Sequence, residues 1–381
     1  MKKINLILSA LLTAIISCQK NNEVIEPINE VEILYTMPEE SSPHEGTWLQ
    51  WPHQYQFGLE YRTSLDPTWV AMTQALIASE NVHIIAYNET EKNRIIVLLN
   101  NSGVALTNID FKIYKTDYVW VRDNGPIYVR DKNGNLVIED WGFNAWGKKN
   151  DNLSGLLVQS DKCDAIPSKI ANEQDLNLID INTEMINEGG SVEIDGHGTL
   201  MACKSSILNE NRNPGMTQEQ AEMIFKKYLG VTNFIWLDGQ AGLDITDGHI
   251  DGVARFGNGT TIVTMYENDL LYMGGKQSDI DKLFAAKNKD GIPYTFLKLP
   301  VTQNNVVTTN GINTGDKGSY VNFYTANTRV LVPTYNDPND AIAIAAIQSL
   351  YPNRTVVGID ARNLFPRGGM IHCVTQQQPK Q

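Results

Sequence analysis

The amino-acid sequence predicts an α/β fold built from repeated strand–strand–helix modules around a central site. From about residue 118, pairs of short apolar segments recur, a turn rich in Gly, Asn or Asp joins the members of each pair, and helical segments usually follow. Candidate catalytic groups fall near the ends of successive modules, as expected if the modules surround one site. The alternative is an ordinary two-layer α+β arrangement.

The strand pairs and helices can be placed along the chain. The first three pairs join residues 127–130 to 136–140, 191–194 to 199–203, and 252–256 to 261–265. A fourth pair joins 320–324 to 330–333 and precedes a helix predicted over 340–351, and another helix is predicted over 217–229. The sequence has no Gly-x-Gly-x-x-Gly between a predicted strand and a helix, and no Walker-type lysine loop, which argues against a nucleotide-binding fold.

The amino-terminal residues predict an exported lipoprotein. Lys2 and Lys3 precede an apolar run over 4–16 that is too short to span a bilayer, and Cys18 follows. We therefore expect a signal peptide over 1–17, lipidation of Cys18, a flexible tether over 18–35 and a single catalytic domain over 36–381. The expected location is the cell envelope, with the lipid as the only membrane contact. The alternative is an ordinary secretory or transmembrane helix.

Charge and composition restrict the class of partner. The 381-residue chain carries a formal charge of −13, and 42% of its residues are hydrophobic. It has no basic stripe or aromatic RNA-binding signature, which argues against a nucleic-acid partner. A small cationic ligand fits this charge better, and the oligomeric state is left open.

The cysteines differ in their sequence context. Cys373 follows Gly368 and Gly369 in a turn predicted to lead into a short apolar strand, which is how a nucleophilic thiol is usually presented. Cys163 and Cys203 have neither a glycine turn nor a nearby histidine, so we expect them to be buried or bridged to each other.

Three acidic segments complete a candidate catalytic set. They contribute the carboxylates Asp123, Glu188 and Asp251 and the imidazole of His249, which joins the thiol of Cys373. A pair of carboxylates can orient a guanidinium group for attack by a thiol, because each accepts hydrogen bonds from its N–H groups. Taken singly, each of these residues has an equally ordinary structural explanation.

No cofactor or metal is expected. The histidines at 44, 53, 197 and 372 lack a zinc-type Cys-x-x-Cys or His-Glu-x-x-His pattern. The sequence therefore gives them no functional role.

From about residue 37 onward the chain resembles the agmatine deiminases of the bacterial peptidylarginine deiminase family, within the guanidine-modifying (pentein) superfamily. The resemblance rests on an ordered series of segments: Met37-Pro38-Glu39, Pro43-His44-Glu45-Gly46-Thr47-Trp48, Trp51-Pro52-His53, Trp120-Val121-Arg122-Asp123-Asn124-Gly125-Pro126, Phe143-Asn144-Ala145-Trp146-Gly147, Glu188-Gly189-Gly190-Ser191, Asn211-Arg212-Asn213-Pro214, Thr246-Asp247-Gly248-His249-Ile250-Asp251 and Ile371-His372-Cys373.

The resemblance implies a pseudo-symmetric α/β propeller with five blades, and it implies a role for each candidate. Cys373 would be the nucleophile, His249 the proton shuttle, and Glu188 the carboxylate that orients the imidazole and pairs with a substrate nitrogen. Asp123 and Asp251 would clamp the guanidinium. Independently of the resemblance, the indoles of Trp120 and Trp146 could wall the pocket and stack on a cationic group, and of the two we expect only Trp120 to do so. The implied reaction converts agmatine to N-carbamoylputrescine and ammonia through a covalent thiouronium, a step in polyamine formation.

The choice of guanidine rests on the segment over 140–149. It carries the Phe-Asn-Ala-Trp-Gly run of the agmatine deiminases and no arginine pair to grip a terminal carboxylate, which favours agmatine over an arginine residue in a peptide. Ser41, Ser42, Lys148 and Met370 depart from the family pattern, and export would separate the enzyme from cytoplasmic agmatine. Protein citrullination is therefore the main alternative, ahead of an amidinotransferase, a non-catalytic guanidine-binding lipoprotein and a cysteine protease.

Overall fold

The computed structural model of the protein describes residues 31–148 and 159–381. The predicted signal peptide, Cys18 and most of the predicted tether lie outside these ranges. Residues Glu32–Gln381 are grouped as one compact unit. Within the described residues, no helix has both the length and the apolar character that a membrane span requires.

The described strands, numbered in chain order, are short and mostly buried. They are β1 (Tyr35–Thr36), β2 (His44–Gln50), β3 (Asn81–Ala86), β4 (Ile109–Ile113), β5 (Ile127–Asp131), β6 (Leu136–Asp140), β7 (Asn177–Asp180), β8 (Val192–Ile194), β9 (Thr199–Cys203), β10 (Asn233–Leu237), β11 (Ala254–Asn258), β12 (Thr261–Met265), β13 (Thr295–Leu299), β14 (Tyr324–Thr325), β15 (Arg329–Thr334), β16 (Thr355–Asp360) and β17 (Gln376–Pro379).

In the part of the chain that the structure describes, these strands form five small sheets with one plan. Each sheet begins with an antiparallel pair, and a parallel strand then joins the second member of that pair. The sheets are β5–β6–β7 with β1 at its edge, β8–β9–β10, β11–β12–β13, β14–β15–β16, and β17–β2–β3–β4. This arrangement confirms the predicted repeat and its five blades.

The last sheet joins the two ends of the domain. Strand β17, near the carboxyl terminus, pairs antiparallel with β2, near the start of the domain. The side-chain oxygen of Gln378 accepts hydrogen bonds from Trp48 Nε1 at 3.0 Å, Tyr128 Oη at 3.1 Å and Gln174 Nε2 at 2.8 Å. One buried acceptor therefore links this sheet to the sheet that contains β5.

A helix precedes the parallel strand in each sheet, because a parallel connection requires a crossover. The longer helices are Gln54–Leu76, Glu89–Asn101, Ile166–Gln174, Gln218–Leu229, Glu267–Tyr272, Gln277–Phe284 and Asn339–Leu350. The helix Gln218–Leu229 begins with a capping box between Thr217 and Gln220, and Gly230 in a left-handed conformation ends it. The sheets and these helices enclose an apolar core that includes Leu65, Trp69 and Phe323.

Several single turns of helix lie between these elements. They are Val121–Asn124, Ala145–Lys148, Asp161–Asp164 and Lys204–Ile207, and the 3₁₀ turns Gly189–Ser191, Ile250–Gly252, Phe365–Arg367 and His372–Val374.

The predicted segments agree with the structure except in three places. The strand expected over 320–324 is only Tyr324–Thr325. Cys373 lies within the 3₁₀ turn His372–Val374, which is followed by the polar but buried strand β17, so the prediction of an apolar strand there was wrong. The predicted tether reaches too far, because Leu34 N donates to Lys227 O at 2.9 Å and Tyr35 pairs with Asp131.

Candidate active site

The candidate residues lie on turns that occupy equivalent positions in the five sheets of the described structure. Each turn comes two to four residues before the first strand of a sheet. Asp123 precedes β5, Glu188 precedes β8, Asp251 precedes β11, Asn322 precedes β14 and Cys373 precedes β17. Because the first strands are equivalent members of the five sheets, the repeat brings residues that are far apart in sequence to one place.

The thiol of Cys373 is half-buried between two polar side chains. Its Sγ lies 3.6 Å from Asp251 Oδ2 and 3.4 Å from Asn322 Oδ1. Burial and the nearby negative charges of Asp251 and Asp123 raise the pKa of the thiol well above its usual value. Without a bound cation, Cys373 is therefore held in the thiol form at neutral pH.

Close packing beside the thiol requires glycine at position 369. A Cβ there would lie 2.6 Å from Trp120 Cζ3 and 3.1 Å from Cys373 Sγ. The indole of Trp120 is buried against this turn. The structure therefore places Trp120 close to the turn that carries the thiol, and its role as a pocket wall stays a prediction.

The imidazole of His249 lies between two carboxylates. Its Nε2 is 3.1 Å from Glu188 Oε2, and its Nδ1 is 3.6 Å from Asp123 Oδ1. Burial opposes protonation of the ring, but the charges of Asp123, Glu188 and Asp251 outweigh it and raise the pKa of His249 to about 9. In this arrangement His249 carries a proton at neutral pH.

Asp123 is buried and receives two hydrogen bonds. Trp146 Nε1 donates to Oδ2 at 2.9 Å, and the backbone N–H of Gly190 donates to Oδ1 at 3.3 Å. Burial is the largest influence, and it raises the pKa of Asp123 to about 6 despite the opposing effects of His249 and the Trp146 bond. Trp146 adopts a left-handed conformation (φ 52°, ψ 41°), which is uncommon for a bulky residue.

Arg212 forms a buried ion pair with Glu188. Its Nε donates to Glu188 Oε1 at 3.0 Å, and its Nη1 forms an ion pair with Asp247. Burial opposes ionisation of Glu188, but Arg212 and His249 together lower the pKa of that carboxyl below its usual value. Glu188 is therefore an ionised partner for the imidazole.

Asp251 has His372 as its close partner. His372 Nδ1 lies 2.8 Å from Asp251 Oδ2, and the backbone carbonyl of Asp251 accepts a bond from Asn322 Nδ2 at 3.2 Å. Burial again opposes ionisation, but the hydrogen bond and charge of His372 lower the pKa of Asp251.

Gly190 marks the space between the catalytic candidates. A Cβ at this position would lie 2.7 Å from His249 Nδ1, 2.9 Å from Asp123 Oδ1 and 3.0 Å from Asp251 Oδ2. Three side chains from the turns before strands β5 and β11, which belong to two different sheets, thus converge on one small volume, and the absence of a side chain at residue 190 keeps it clear.

This region opens into a cavity of about 1560 Å³ whose wall includes Cys373, His249 and Asp251. The wall also includes the exposed apolar side chains of Leu59, Leu243, Tyr272 and Ile312. The thiol, the imidazole and a carboxylate are therefore accessible to a small ligand from outside.

The structure brings together all the predicted site residues in the described chain. Sequence reasoning gave no role to four residues that contact the predicted ones, Trp146, Arg212, Asn322 and His372. It also missed Glu40, which contacts His372. His372 was given no role from its sequence, and the role of pocket wall was assigned to Trp120 and not to Trp146. His372 and Trp146 both occur in family-like motifs, next to Cys373 and within 143–147, and that proximity was the available signal.

The remaining cysteines and possible metal ligands were also located. In the part of the chain that the structure describes, Cys163 and Cys203 are both free and buried, so the disulfide alternative does not hold. Burial raises the pKa of each thiol to about 12. Residues 31–148 and 159–381 contain no group of three or more His, Cys, Asp or Glu side chains arranged to hold a metal ion.

Comparison with solved structures supports the same fold. The chain is similar to the agmatine deiminase of Enterococcus faecalis, with 27% identity, a TM-score of 0.78 and coverage of 92% of this chain and 98% of that one. It is also similar to a substrate-bound agmatine deiminase of C. jejuni, with 27% identity, a TM-score of 0.74 and coverage of 91% and 97%. The fold and these neighbours define a protein of the pentein class.

Sequence comparison gives the family. Residues 36–379 match the model of the Porphyromonas-type peptidyl-arginine deiminases, and the chain belongs to this family. The agmatine deiminase of Stutzerimonas stutzeri (strain A1501) is 32% identical over 364 residues, which cover 91% of this chain and 95% of that protein. The agmatine deiminase of Pseudomonas aeruginosa (strain LESB58) is 32% identical over 362 residues, with the same coverage.

The convergence at Gly190 predicts the effect of adding one methyl group there. Gly190→Ala is expected to lower kcat/KM for a guanidine substrate by about 100-fold or more, because the Cβ displaces reacting groups from a tightly held geometry. Gly252→Ala is the matched control, since a Cβ at 252 has no neighbour within 4 Å among the described residues. Steady-state kinetics and thermal unfolding of both variants measure the difference. Equal kcat/KM values for the two variants would contradict the prediction.

Proposed function

We propose that the protein is a hydrolase that deiminates agmatine, giving N-carbamoylputrescine and ammonia. The observation that carries this proposal is the convergence of a thiol, an imidazole and carboxylates on the space beside Gly190. The relatives named as agmatine deiminases, which match over nearly the whole domain, support the same reaction.

The charge of the site favours a cationic substrate. Asp123, Glu188 and Asp251 are buried within one small region, and the pKa of the Cys373 thiol is raised by two of them. A guanidinium bound between Asp123 and Asp251 supplies positive charge beside the sulfur and so favours the thiolate. The substrate thereby helps to activate its own nucleophile, and the thiol proton is released to solvent.

The first half of the reaction forms a covalent intermediate. The Cys373 thiolate attacks the central guanidinium carbon, and a C–S bond forms to give a tetrahedral adduct. The protonated His249 gives its proton to one terminal nitrogen, the C–N bond breaks and ammonia leaves. A thiouronium then remains on Cys373, while Glu188 holds the imidazole in place.

The second half consumes one water molecule. His249, now neutral, removes a proton from water, whose oxygen attacks the thiouronium carbon. The C–S bond breaks and the thiolate returns. The remaining hydroxyl proton leaves and protonates the released ammonia, and the product carries a urea group in place of the guanidinium. The sum is one guanidinium and one water converted to one ureido product and one ammonium ion.

Product analysis with a substrate panel tests this function. Agmatine, free arginine, an arginine-containing peptide and agmatine with an amine acceptor are each incubated with the full chain and with Cys373→Ser. We expect stoichiometric ammonia and ureido product from agmatine, and at least a 10³-fold loss in Cys373→Ser, on the order of the losses that follow removal of a nucleophile.

The other results of this panel identify the competing functions. Preference for the peptide would replace agmatine hydrolysis with protein citrullination. Transfer of the amidino group without ammonia would indicate an amidinotransferase. Unchanged agmatine binding with no product from any substrate would indicate a binding protein.

The pKa of Asp123 predicts how kcat/KM depends on pH. Its carboxylate must be ionised to bind a guanidinium, and its pKa is about 6, so kcat/KM should fall as the pH drops through about 6. The Trp146 bond favours the ionised form, so Trp146→Phe should raise the acid-limb pKa by about half a unit to one unit.

The control for that pH profile is Trp141→Phe. It removes an indole bond to the buried Glu139 and no side-chain bond to Asp123, and should leave the acid limb unchanged. An unshifted or lowered acid limb in Trp146→Phe would show that this bond does not tune Asp123.

We propose in addition that the protein is exported and anchored in the cell envelope through a lipid on Cys18. Lys2, Lys3 and the apolar run over 4–16 support this location. Metabolic labelling with a fatty-acid analogue should mark the chain and Cys373→Ser equally. Cys18→Ala should lose the label and leave the membrane fraction, and a label retained on Cys18→Ala would contradict the anchor.

A further inference from the structure

His372 lies buried between two carboxylates that belong to different parts of the chain. Its Nδ1 is 2.8 Å from Asp251 Oδ2, and its Nε2 is 2.8 Å from Glu40 Oε2. The side chains of His372 and Asp251 are each 2% exposed. The proposed reaction gives His372 no chemical step, although it directly precedes Cys373.

We propose that His372 is a positioning residue that fixes the substrate-clamping carboxylate of Asp251 beside the Cys373 thiol and the space next to Gly190. This inference rests on the proposed function. It identifies a determinant of substrate binding that lies on the far side of Asp251 from the ligand.

Glu40, which contacts Nε2 of His372, is itself held by three other hydrogen-bond donors. Glu40 Oε2 accepts from Arg255 Nη2 at 2.8 Å and Arg122 Nη2 at 3.2 Å, and Glu40 Oε1 accepts from the backbone N–H of Thr325 at 2.8 Å. Burial opposes ionisation of Glu40, but Arg255, His372 and Arg122 hold its pKa well below the usual value. Glu40 is therefore a fixed anion that can accept a hydrogen bond from Nε2 of His372.

Histidine suits this position because its two ring nitrogens point in different directions. Only a ring protonated on both nitrogens donates to both carboxylates. Arg255 continues the network, because its Nε donates to Glu193 at 2.7 Å. The orientation of Asp251 is thus connected through His372, Glu40 and Arg255 to strands β8 and β11.

The bond to His372 also holds the Asp251 oxygen that approaches the thiol and the space beside Gly190. Oδ2 is bound to His372 and lies 3.6 Å from Cys373 Sγ. Without the ring N–H, Oδ2 would be left to accept from the thiol, and the carboxylate could rotate away from the guanidinium. We therefore expect His372 to affect substrate affinity more than the chemical steps.

Two substitutions of His372 test the hydrogen bonds of its two ring nitrogens separately. In His372→Asn the amide nitrogen lies near the position of Nδ1 and can still donate to Asp251. In His372→Gln it lies near the position of Nε2 and can reach Glu40 but not Asp251. Each variant keeps one hydrogen bond and loses the other, so a purely structural role predicts similar losses of stability and activity.

The positioning role predicts different results for the two variants. His372→Gln should raise KM for agmatine by about 20-fold and lower kcat by less than about threefold, while His372→Asn stays within about fivefold of the parent KM. The dissociation constant for agmatine, measured by calorimetry in the Cys373→Ser background, should show the same difference. Thermal unfolding of each protein reports the structural contribution.

Equal KM and Kd values for His372→Asn and His372→Gln at similar stability would overturn the inference while leaving the proposed function intact. If His372→Gln does not fold, His372→Ala replaces it, because it also removes the N–H that donates to Asp251. An unchanged Kd in His372→Ala relative to His372→Asn would then overturn the inference. A parent enzyme that makes no ammonia from any guanidine but binds agmatine would overturn the function alone, since the binding comparison still tests His372.

Discussion

The balance of buried charge at the centre of the molecule is the constraint on which the site depends. Asp123, Glu188 and Asp251 approach one another in a region with little access to water. An unpaired buried charge costs about 3–5 kcal/mol, so such carboxylates need counter-charges. His249, Arg212 and His372 supply them, but Asp123 keeps a pKa of about 6. That incomplete compensation leaves a place for a cationic ligand.

The repeat gives this charge cluster its geometry. Each sheet contributes one turn just before its first strand, so the site is assembled from five equivalent positions in the described structure. Four of these turns carry a predicted residue, and the fifth carries Asn322, whose Oδ1 accepts from the backbone N–H groups of His372 and Cys373 at 3.0 and 3.3 Å. The pairing of β17 with β2 completes the set, because it anchors the strand that follows Cys373.

Short sequence patterns predicted the turns between paired strands, because the conformation of a turn depends mainly on its own residues. The turns at 131–134 and 195–198, which join predicted strand pairs, could be predicted because Gly, Asn and Asp have strong conformational preferences. The pairing of β17 with β2 was not visible in the same way, since the glutamines of β17 are polar and yet buried. Their burial depends on partners such as Trp48 and Tyr128, which are distant in sequence.

The sequence by itself determined the repeated modules, the reactive residue types and their order, because turn preferences, apolar periodicity and motif resemblance are properties of neighbouring residues. Tertiary structure alone decided which groups meet. It placed His372 between Asp251 and Glu40, Arg212 behind Glu188, and the Trp146 indole against Asp123. It also set the ionisation of these groups, because a pKa depends on burial and on charges contributed by distant parts of the chain.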